Sequence, residues 1–325
     1  MELGRLAQSL RHYEGVRKKH MVSQVCSVLP IPPKNVLAHF GEDCAVLEHS
    51  DDLVLLLACD GIMESLIRRN PWWAGYCSVL VNVNDIFAMG GKPVAMVNVV
   101  SASNRKILTI IARGMGAAVR KFGVPMVGGH THPDAGSSSV SVSILGTARK
   151  GEVLYSHTAG TGDSVVMACD LDGRFTRGVS YSWDTTSHKS PEEARKRLGA
   201  MQTVAKKRLA TAAKDISMPG TLGTLGMLLE SSGKGAIVDI GKIPTPPGFP
   251  ADARIIRWLR AYQGCGFVLT CRKGREAGLV GEFEVAGITA AVVGRVTGDR
   301  KLIIREGGDS ATVFDFSKDY IAGIH

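Results

Sequence analysis

Four aspartates stand in places where a carboxylate is costly. Asp85 lies in NVNDIFAMGGKP (82–93), inside one of the least polar segments of the chain. A buried charge is normally paired, metal-bound or neutralised by a shifted pKa. Asp60 follows the apolar run LVLLLAC, at the C-terminal end of a strand, where sites of layered α/β proteins commonly gather. Asp43 sits in GEDCAVL, a glycine-led turn running into a strand, and Asp215 in AAKDIS follows a basic helix and precedes the glycine-rich PGTLGTLG. Taken singly, each suits a turn or a cap. Brought together, two such charges ~4 Å apart at an effective dielectric of about 20 repel by about 4 kcal/mol, against a typical total stability of about 5–15 kcal/mol. They would then need cations. Hard oxygen ligands select Mg²⁺ or Ca²⁺, and Mg²⁺ on carboxylates usually carries a nucleotide phosphate.

A fifth constellation is VPMVGGHTHPDAG (124–136). His130, His132 and Asp134 have the HxHxD outline of a zinc hydrolase site, since alternate residues of a strand project one way. The further His of that pattern is replaced by Ala135. Gly128 and Gly129 would let backbone amides approach an anion, a phosphate-type feature. GMGAAV (114–119) has the outline of a dinucleotide fingerprint but falls within a helix, where close packing explains it better. GTLGTLG (220–226) lacks the Lys-Ser/Thr ending of a P-loop and either opens a helix near phosphate or permits tight packing.

The elements that must position these residues are legible from periodicity. Strands are expected at Leu53–Cys59, Val94–Val100, Val140–Gly146, Ser164–Cys169, Ala236–Ile240, Phe267–Cys271, Ile288–Val293 and Lys301–Ile304. Helices are expected at Trp73–Met89, Arg105–Phe122, Pro191–Ala213, Leu222–Ser231 and Asp252–Tyr262. This mixture means α/β or α+β layers. On the first helix Ser78, Asn82 and Asp85 share a face, a polar stripe within a core helix that a bound partner would order. A domain joint is expected at RKGEVLYSHTAGTGD (149–163), giving units 1–153 and 154–325, whereas IPTPPGFP (243–250) reads as a stiff loop.

Composition narrows the class. The 325 residues are 45% hydrophobic and 21% charged, which suits about two globular domains. No apolar run reaches the roughly 18 residues needed to span a bilayer, and the N-terminus lacks a secretory signal pattern. Seven scattered cysteines without a CxxC pair read as reduced thiols in a cytoplasmic protein. The net charge of +9 suggests nucleic acid, but its distribution argues otherwise. Eight lysines and arginines fall between His188 and Lys214, on a helix begun by Ser190-Pro191 with Glu193 completing a capping box. They alternate with Leu198, Met201, Val204 and Leu209 and lack aromatics for base stacking, so a solvated face is expected.

The ordered series GEDCAVL, LLLACDG, NDIFAMGGKP, GGHTHPD and KDIS…GTLGTLG resembles the AIR synthase-related superfamily, which includes selenophosphate synthetase and thiamine-monophosphate kinase. WWAGYCSVLVNVNDIFAMGGKP, WDTTSHKSPEE and YQGCGFVLT look closest to the methanogenesis marker protein 2 group. The resemblance implies a two-domain α/β fold whose N-terminal domain forms a barrel across a homodimer, with ATP and Mg²⁺ in a carboxylate-lined cleft. It implies Asp43, Asp85 and Asp215 as metal ligands, Asp60 as a metal or nucleotide contact, and Asn82, Gly128 and Gly129 around the nucleotide. His130 stands where the kinase has Asp and could donate to a phosphoryl oxygen. In EGVRKKHMVSQVCS (14–27), Lys18 and Lys19 could contact phosphates, Lys19 in a catalytic role, or form a solvated basic turn. The implied activity is phosphoryl transfer from ATP to a small molecule, in cofactor biosynthesis linked to methanogenesis. A nucleotide-binding accessory protein and the zinc hydrolase are the alternatives.

Overall fold

The computed structural model describes residues 2–30, 32–133, 135–248 and 253–324. Asp134, the end of IPTPPGFP and Asp252 therefore lie outside the described residues. The first sheet holds β1 (Val36–Ala38), β2 (Ala45–Glu48), β3 (Leu53–Gly61), β4 (Lys92–Ser101), β5 (Met126–His132) and β6 (Ser139–Arg149), in the order β1-β2-β3-β6-β4-β5. Only the β4–β5 pair is parallel. The second sheet holds β7 (Ser164–Cys169), β10 (Ala212–Asp215), β11 (Gly235–Asp239), β12 (Gly266–Cys271), β13 (Thr289–Thr297), β14 (Lys301–Glu306) and β15 (Asp309–Asp315), in the order β10-β12-β7-β13-β11-β14-β15. A short ribbon pairs β8 (Arg174–Phe175) with β9 (Trp183–Asp184). The two-domain α/β architecture is present, and the first sheet is open rather than closed into a barrel.

The helices are α1 (Leu3–Arg11), α2 (Glu14–Arg17), α3 (Met21–Val28), α4 (Glu64–Arg69), α5 (Pro71–Ala88), α6 (Arg105–Phe122), α7 (Pro191–Lys206), α8 (Gly220–Ser231), α9 (Ala253–Leu259) and α10 (Glu276–Ala286). Helices α5 and α6 cover the inner face of the first sheet and meet α7, which packs with α10 on the near face of the second. Helices α1, α8 and α9 belong to the separate core on its far side. None of the described helices is long and apolar enough to cross a membrane.

Helix α5 begins where its caps dictate. Asn70 accepts a hydrogen bond from the Trp73 amide at 3.0 Å, with Pro71 in the first turn. It is buried nearly all round because sheet, α6 and the second unit enclose it. Its approach to α6 needs glycine: a Cβ on Gly114 would lie 1.9 Å from the Trp72 carbonyl oxygen, and one on Gly75 would lie 2.1 Å from that of Ile111. GMGAAV is thus a packing surface.

Three expectations require correction. The basic helix ends at Lys206 rather than Ala213. Beyond it Arg208 adopts a positive φ of 51°, and residues 212–215 pair antiparallel with β12 as an edge strand. Ser190 caps α7 as expected, but Glu193 turns to Arg197 at 2.7 Å instead of closing the capping box. Lys214 does not belong to a solvated face; it is 3% exposed.

Candidate functional site

The period of a strand carries Val54, Leu56 and Ala58 of β3 towards α5, and Asp60 follows on the same face at the strand's end. Helix α5 delivers Asp85 to the same place near its C-terminus. Gly41, with φ of 101°, turns the chain so that Asp43 points inward, and the end of β10 supplies Asp215. Ligand oxygens of Asp43, Asp85 and Asp215 all lie within 4.8 Å of one another. A cavity of about 220 Å³ joins them to Asp60, Glu42, Lys19 and Lys214. This is the one grouping of three or more metal-ligand side chains found among the described residues.

The electrostatics follow from crowding. Burial, then the charges of Asp60, Asp215 and Asp43, pushes Asp85 well above the usual carboxylate range. Burial and Asp43 do the same to Asp215, opposed by Lys214. Asp43 is raised by burial, with Lys214 pulling the other way through an ion pair. Asp60, at the solvent-exposed rim, is raised in the same direction by the protein around it, against Lys19. Burial opposes the charge on Lys214, but Asp43 and Glu42 override it and hold the ammonium charged. Lys214 also donates to the Gly41 carbonyl at 3.2 Å, and the Asp215 amide donates to Asp43 at 3.3 Å. Glu42 is fixed from outside: the Ser156 amide and hydroxyl donate to it at 2.7 and 2.8 Å, and His157 Nδ1 lies 2.5 Å away. Its burial is outweighed by these contacts and Lys214, so it stays ionised.

Other residues singled out from sequence lie elsewhere. Ser78 and Asn82 do not line the carboxylate cavity, although the buried Oδ1 of Asn82 has no partner. The Asn82 amide donates to the Ser78 carbonyl at 2.8 Å, and Ser78 donates to the Gly75 carbonyl at 2.8 Å. Asn82 sits about 60° round the helix axis from Asp85, on the side away from Val81 and Asn84. Asn84 instead lines the adjoining space beside Asp60 and Asp215: its amide donates to the Gly264 carbonyl at 3.1 Å, and its buried Oδ1 has no partner. Lys19 faces the carboxylates, whereas Lys18 pairs with Glu14 at 2.7 Å and lines a neighbouring chamber. Gly128, Gly129 and His130 lie on edge strand β5, in rows that cross β4 and β6 to reach the end of β3. Three strand spacings, about 14 Å, separate them from Asp60 within one chain. His130 and His132 are exposed with ring centroids 4.4 Å apart, and no third zinc ligand joins them among the described residues.

Lys214, Glu42 and Asn84 were missed from the sequence. Lys214 and Glu42 adjoin Asp215 and Asp43, which was the available signal. Gly220 to Gly226 open α8 inside the core, so that glycine run serves packing.

Both α/β units that border this cleft match models of one protein family. Residues 41–148 match the AIR synthase related protein N-terminal domain and residues 160–306 the corresponding C-terminal domain. The chain belongs to this family. It is 42% identical to an uncharacterized protein of Methanocaldococcus jannaschii over 99% of this chain and 100% of the relative. It is 26% identical to a selenide, water dikinase of Carboxydothermus hydrogenoformans, over 87% of this chain and 92% of that one. Its fold is similar to T. maritima PurL complexed with ATP, with a TM-score of 0.72 at 17% identity, over 87% of this chain. It spans about half of that protein, 47% of its length.

Proposed function

We propose that this protein is a Mg²⁺-dependent enzyme that transfers a phosphoryl group from ATP to a small molecule. The observation that carries the reading is the trio Asp43, Asp85 and Asp215, contributed by a loop and a helix of the first unit and a strand of the second. Its donors are all hard oxygens, which fits Mg²⁺ better than zinc. These three would hold the ion, with Asp60 at the rim as a further ligand or nucleotide contact. Bound there, Mg²⁺ supplies the charge that neutralises a triphosphate among carboxylates. The relative named as a dikinase and the ATP in the PurL structure support the same reading.

The chain's own residues then have definite work. Lys214 holds Asp43 in place, and Asp43 together with Glu42 keeps Lys214 charged. Lys19 can place its ammonium against a phosphate oxygen. In transfer, the acceptor's nucleophilic atom bonds to the γ-phosphorus as the bond to the β,γ-bridging oxygen breaks, and ADP leaves with that electron pair. The outer face of the first sheet exposes Leu53, Leu57, Val97 and Val99, with His130 in the same row as Val99. We take a twin sheet to cover it, forming the barrel across a homodimer and giving His130, Gly128 and Gly129 their access to a nucleotide. The resemblance of the WWAGYCS and WDTTSHKS segments to that marker group supports a place in cofactor biosynthesis linked to methanogenesis, and the free cysteines support a cytoplasmic one.

The test is ADP release with candidate acceptors. Turnover should need Mg²⁺ and fall at least about tenfold in Lys19→Met, the scale of one lost charge-assisted contact. ATP binding without turnover by any acceptor would favour the accessory protein, and no Mg²⁺-dependent ATP binding at all would remove the reading.

A further inference from the structure

Beside the carboxylate cleft lies a larger chamber of about 610 Å³, within the range of small-molecule sites. The two are joined by a passage of about 90 Å³, which shares Lys19, Asp60 and Asp215 with the cleft and Met63, Met218 and Tyr262 with the chamber. The chamber's charge is opposite to the cleft's. Lys18, Arg69, Arg257 and Arg260 line it, and Glu14 is the sole acid in the lining. Glu14 is engaged by Lys18 at 2.7 Å.

Among the described residues, none of the three arginines has a carboxylate partner. Arg69 donates to the Gly178 carbonyl at 2.9 Å and Arg257 to that of Ser180 at 3.1 Å. Arg260 donates to the Ser9 carbonyl and hydroxyl at 2.6 and 2.7 Å, leaving its Nε buried without a partner. These contacts orient each guanidinium without neutralising it. Aromatic faces complete the lining: Tyr181 and Tyr262 stack with centroids 5.2 Å apart, and Tyr13 lies under Arg260 at 4.8 Å. Burial pushes the Tyr13 phenol up to about 12, so it remains a neutral donor. A pocket with uncompensated guanidinium groups and flat aromatic walls suits a ligand with an anionic group on a planar body.

We propose that this chamber binds the acceptor and that the acceptor is an anionic, ring-bearing small molecule, its phosphate or carboxylate held by Arg69, Arg257 and Arg260. The role as acceptor site rests on the phosphoryl-transfer reading; the ligand class rests on the chamber alone. The passage lets the ligand's nucleophilic end reach Lys19 and the carboxylates while its anion stays among the arginines. That division keeps a second negative charge away from the metal site.

Calorimetry with phenyl phosphate, benzoate, inorganic phosphate and benzyl alcohol, without ATP or Mg²⁺, tests the chamber separately from the transfer site. Phenyl phosphate or benzoate should bind at least about tenfold tighter than inorganic phosphate or benzyl alcohol, and the stronger of the two identifies the anion. Arg257→Met and Arg69→Met, both exposed side chains, should each weaken it by at least about tenfold. Binding of neither ring-bearing anion, or equal binding by both variants, would overturn the proposal. Mg²⁺–ATP binding measured on the same samples separates the two ideas: its loss with anion binding intact rejects the transfer site alone, and the reverse rejects the chamber alone.

Discussion

Replacing Asp85 with Asn should stabilise the metal-free protein, although the residue is buried. Its carboxylate lies within 4.8 Å of those of Asp43 and Asp215. At an effective dielectric of about 20, each ionised neighbour at that distance costs about 3.5 kcal/mol. Part of that repulsion is relieved by proton uptake, since burial and the neighbouring charges hold the Asp85 pKa well up. A gain of about 1–3 kcal/mol is therefore expected at neutral pH, or a rise in Tm of roughly 2–6 °C for a chain of this size. Mg²⁺ should raise the wild-type Tm by a similar amount, as about 2.7 kcal/mol accompanies a ligand at a hundred times its Kd. Asp85→Asn should lose most of that response. The pH dependence has a fixed sign. A carboxylate whose pKa is raised on folding leaves stability intact below its unfolded value near 4 and lowers it as pH rises through the folded value. Metal-free wild type should thus lose stability relative to Asp85→Asn between about pH 4 and neutrality, and Mg²⁺ should stabilise it more at the upper end. Scanning calorimetry at several pH values, with EDTA or Mg²⁺, reads all of this. If Asp85 were merely a hydrogen-bonded core group, Asn would cost about 1–3 kcal/mol. A lower metal-free Tm, or an undiminished Mg²⁺ response, would refute the reasoning.

Lys214→Met leaves Asp43 buried without its partner, so metal-free unfolding in urea should show a loss of about 3–5 kcal/mol, partly restored by Mg²⁺. An unchanged denaturation midpoint would mean that the pair contributes nothing. Leu57→Glu with Val97→Glu places charges on the exposed outer face of the first sheet, and light scattering at micromolar concentration should show a dimer converted to monomer. A wild-type monomer would remove the proposed barrel. Gly114→Ala puts a methyl group 1.9 Å from the Trp72 carbonyl oxygen and should cost about 3 kcal/mol or more by forcing α5 from α6. A thermal midpoint within a degree of wild type would show that the helices can yield there.

Much of this is legible in the sequence, for a physical reason. Central strands such as Ser164–Cys169 are continuous apolar runs because both faces are covered, and α6 matches its expected bounds, Arg105–Phe122, because its period and caps agree. Edge strands resist this reading. Ala212 and Ala213 have weak strand preference, and only pairing with β12 makes them extended, so the sequence pattern carries the helix past Lys206 and puts Lys214 on its solvated face. Helix α1 carried its pattern openly in Leu3, Leu6, Ala7 and Leu10, yet it packs on β15, a partner at the far end of the sequence. Asn82 and Asn84 show the limit of phase arguments. In a helix enclosed all round, hydropathy does not mark a preferred side, and the choice between two asparagines is made by tertiary packing.

Helix α1 also constrains the order in which the molecule can come into being. Arg11 donates to the Val313 and Thr312 carbonyls at 2.6 and 2.7 Å, bonds that close loops of about three hundred residues. Such contacts form late, because loop-closure entropy is lost before they return anything. On a ribosome adding roughly 5–20 residues per second, the first helix waits some fifteen seconds or more for the strand it docks against. Through that interval Leu3, Leu6 and Leu10 lack the β15 side of the second core, and the segment between α2 and α3 that carries Lys18 and Lys19 lacks that anchor. The nascent chain therefore holds part of an apolar helix face uncovered until synthesis reaches residues 309–315. The wall of the cleft that carries Lys19 is set late, together with the lining residues Ala322 and Ile324.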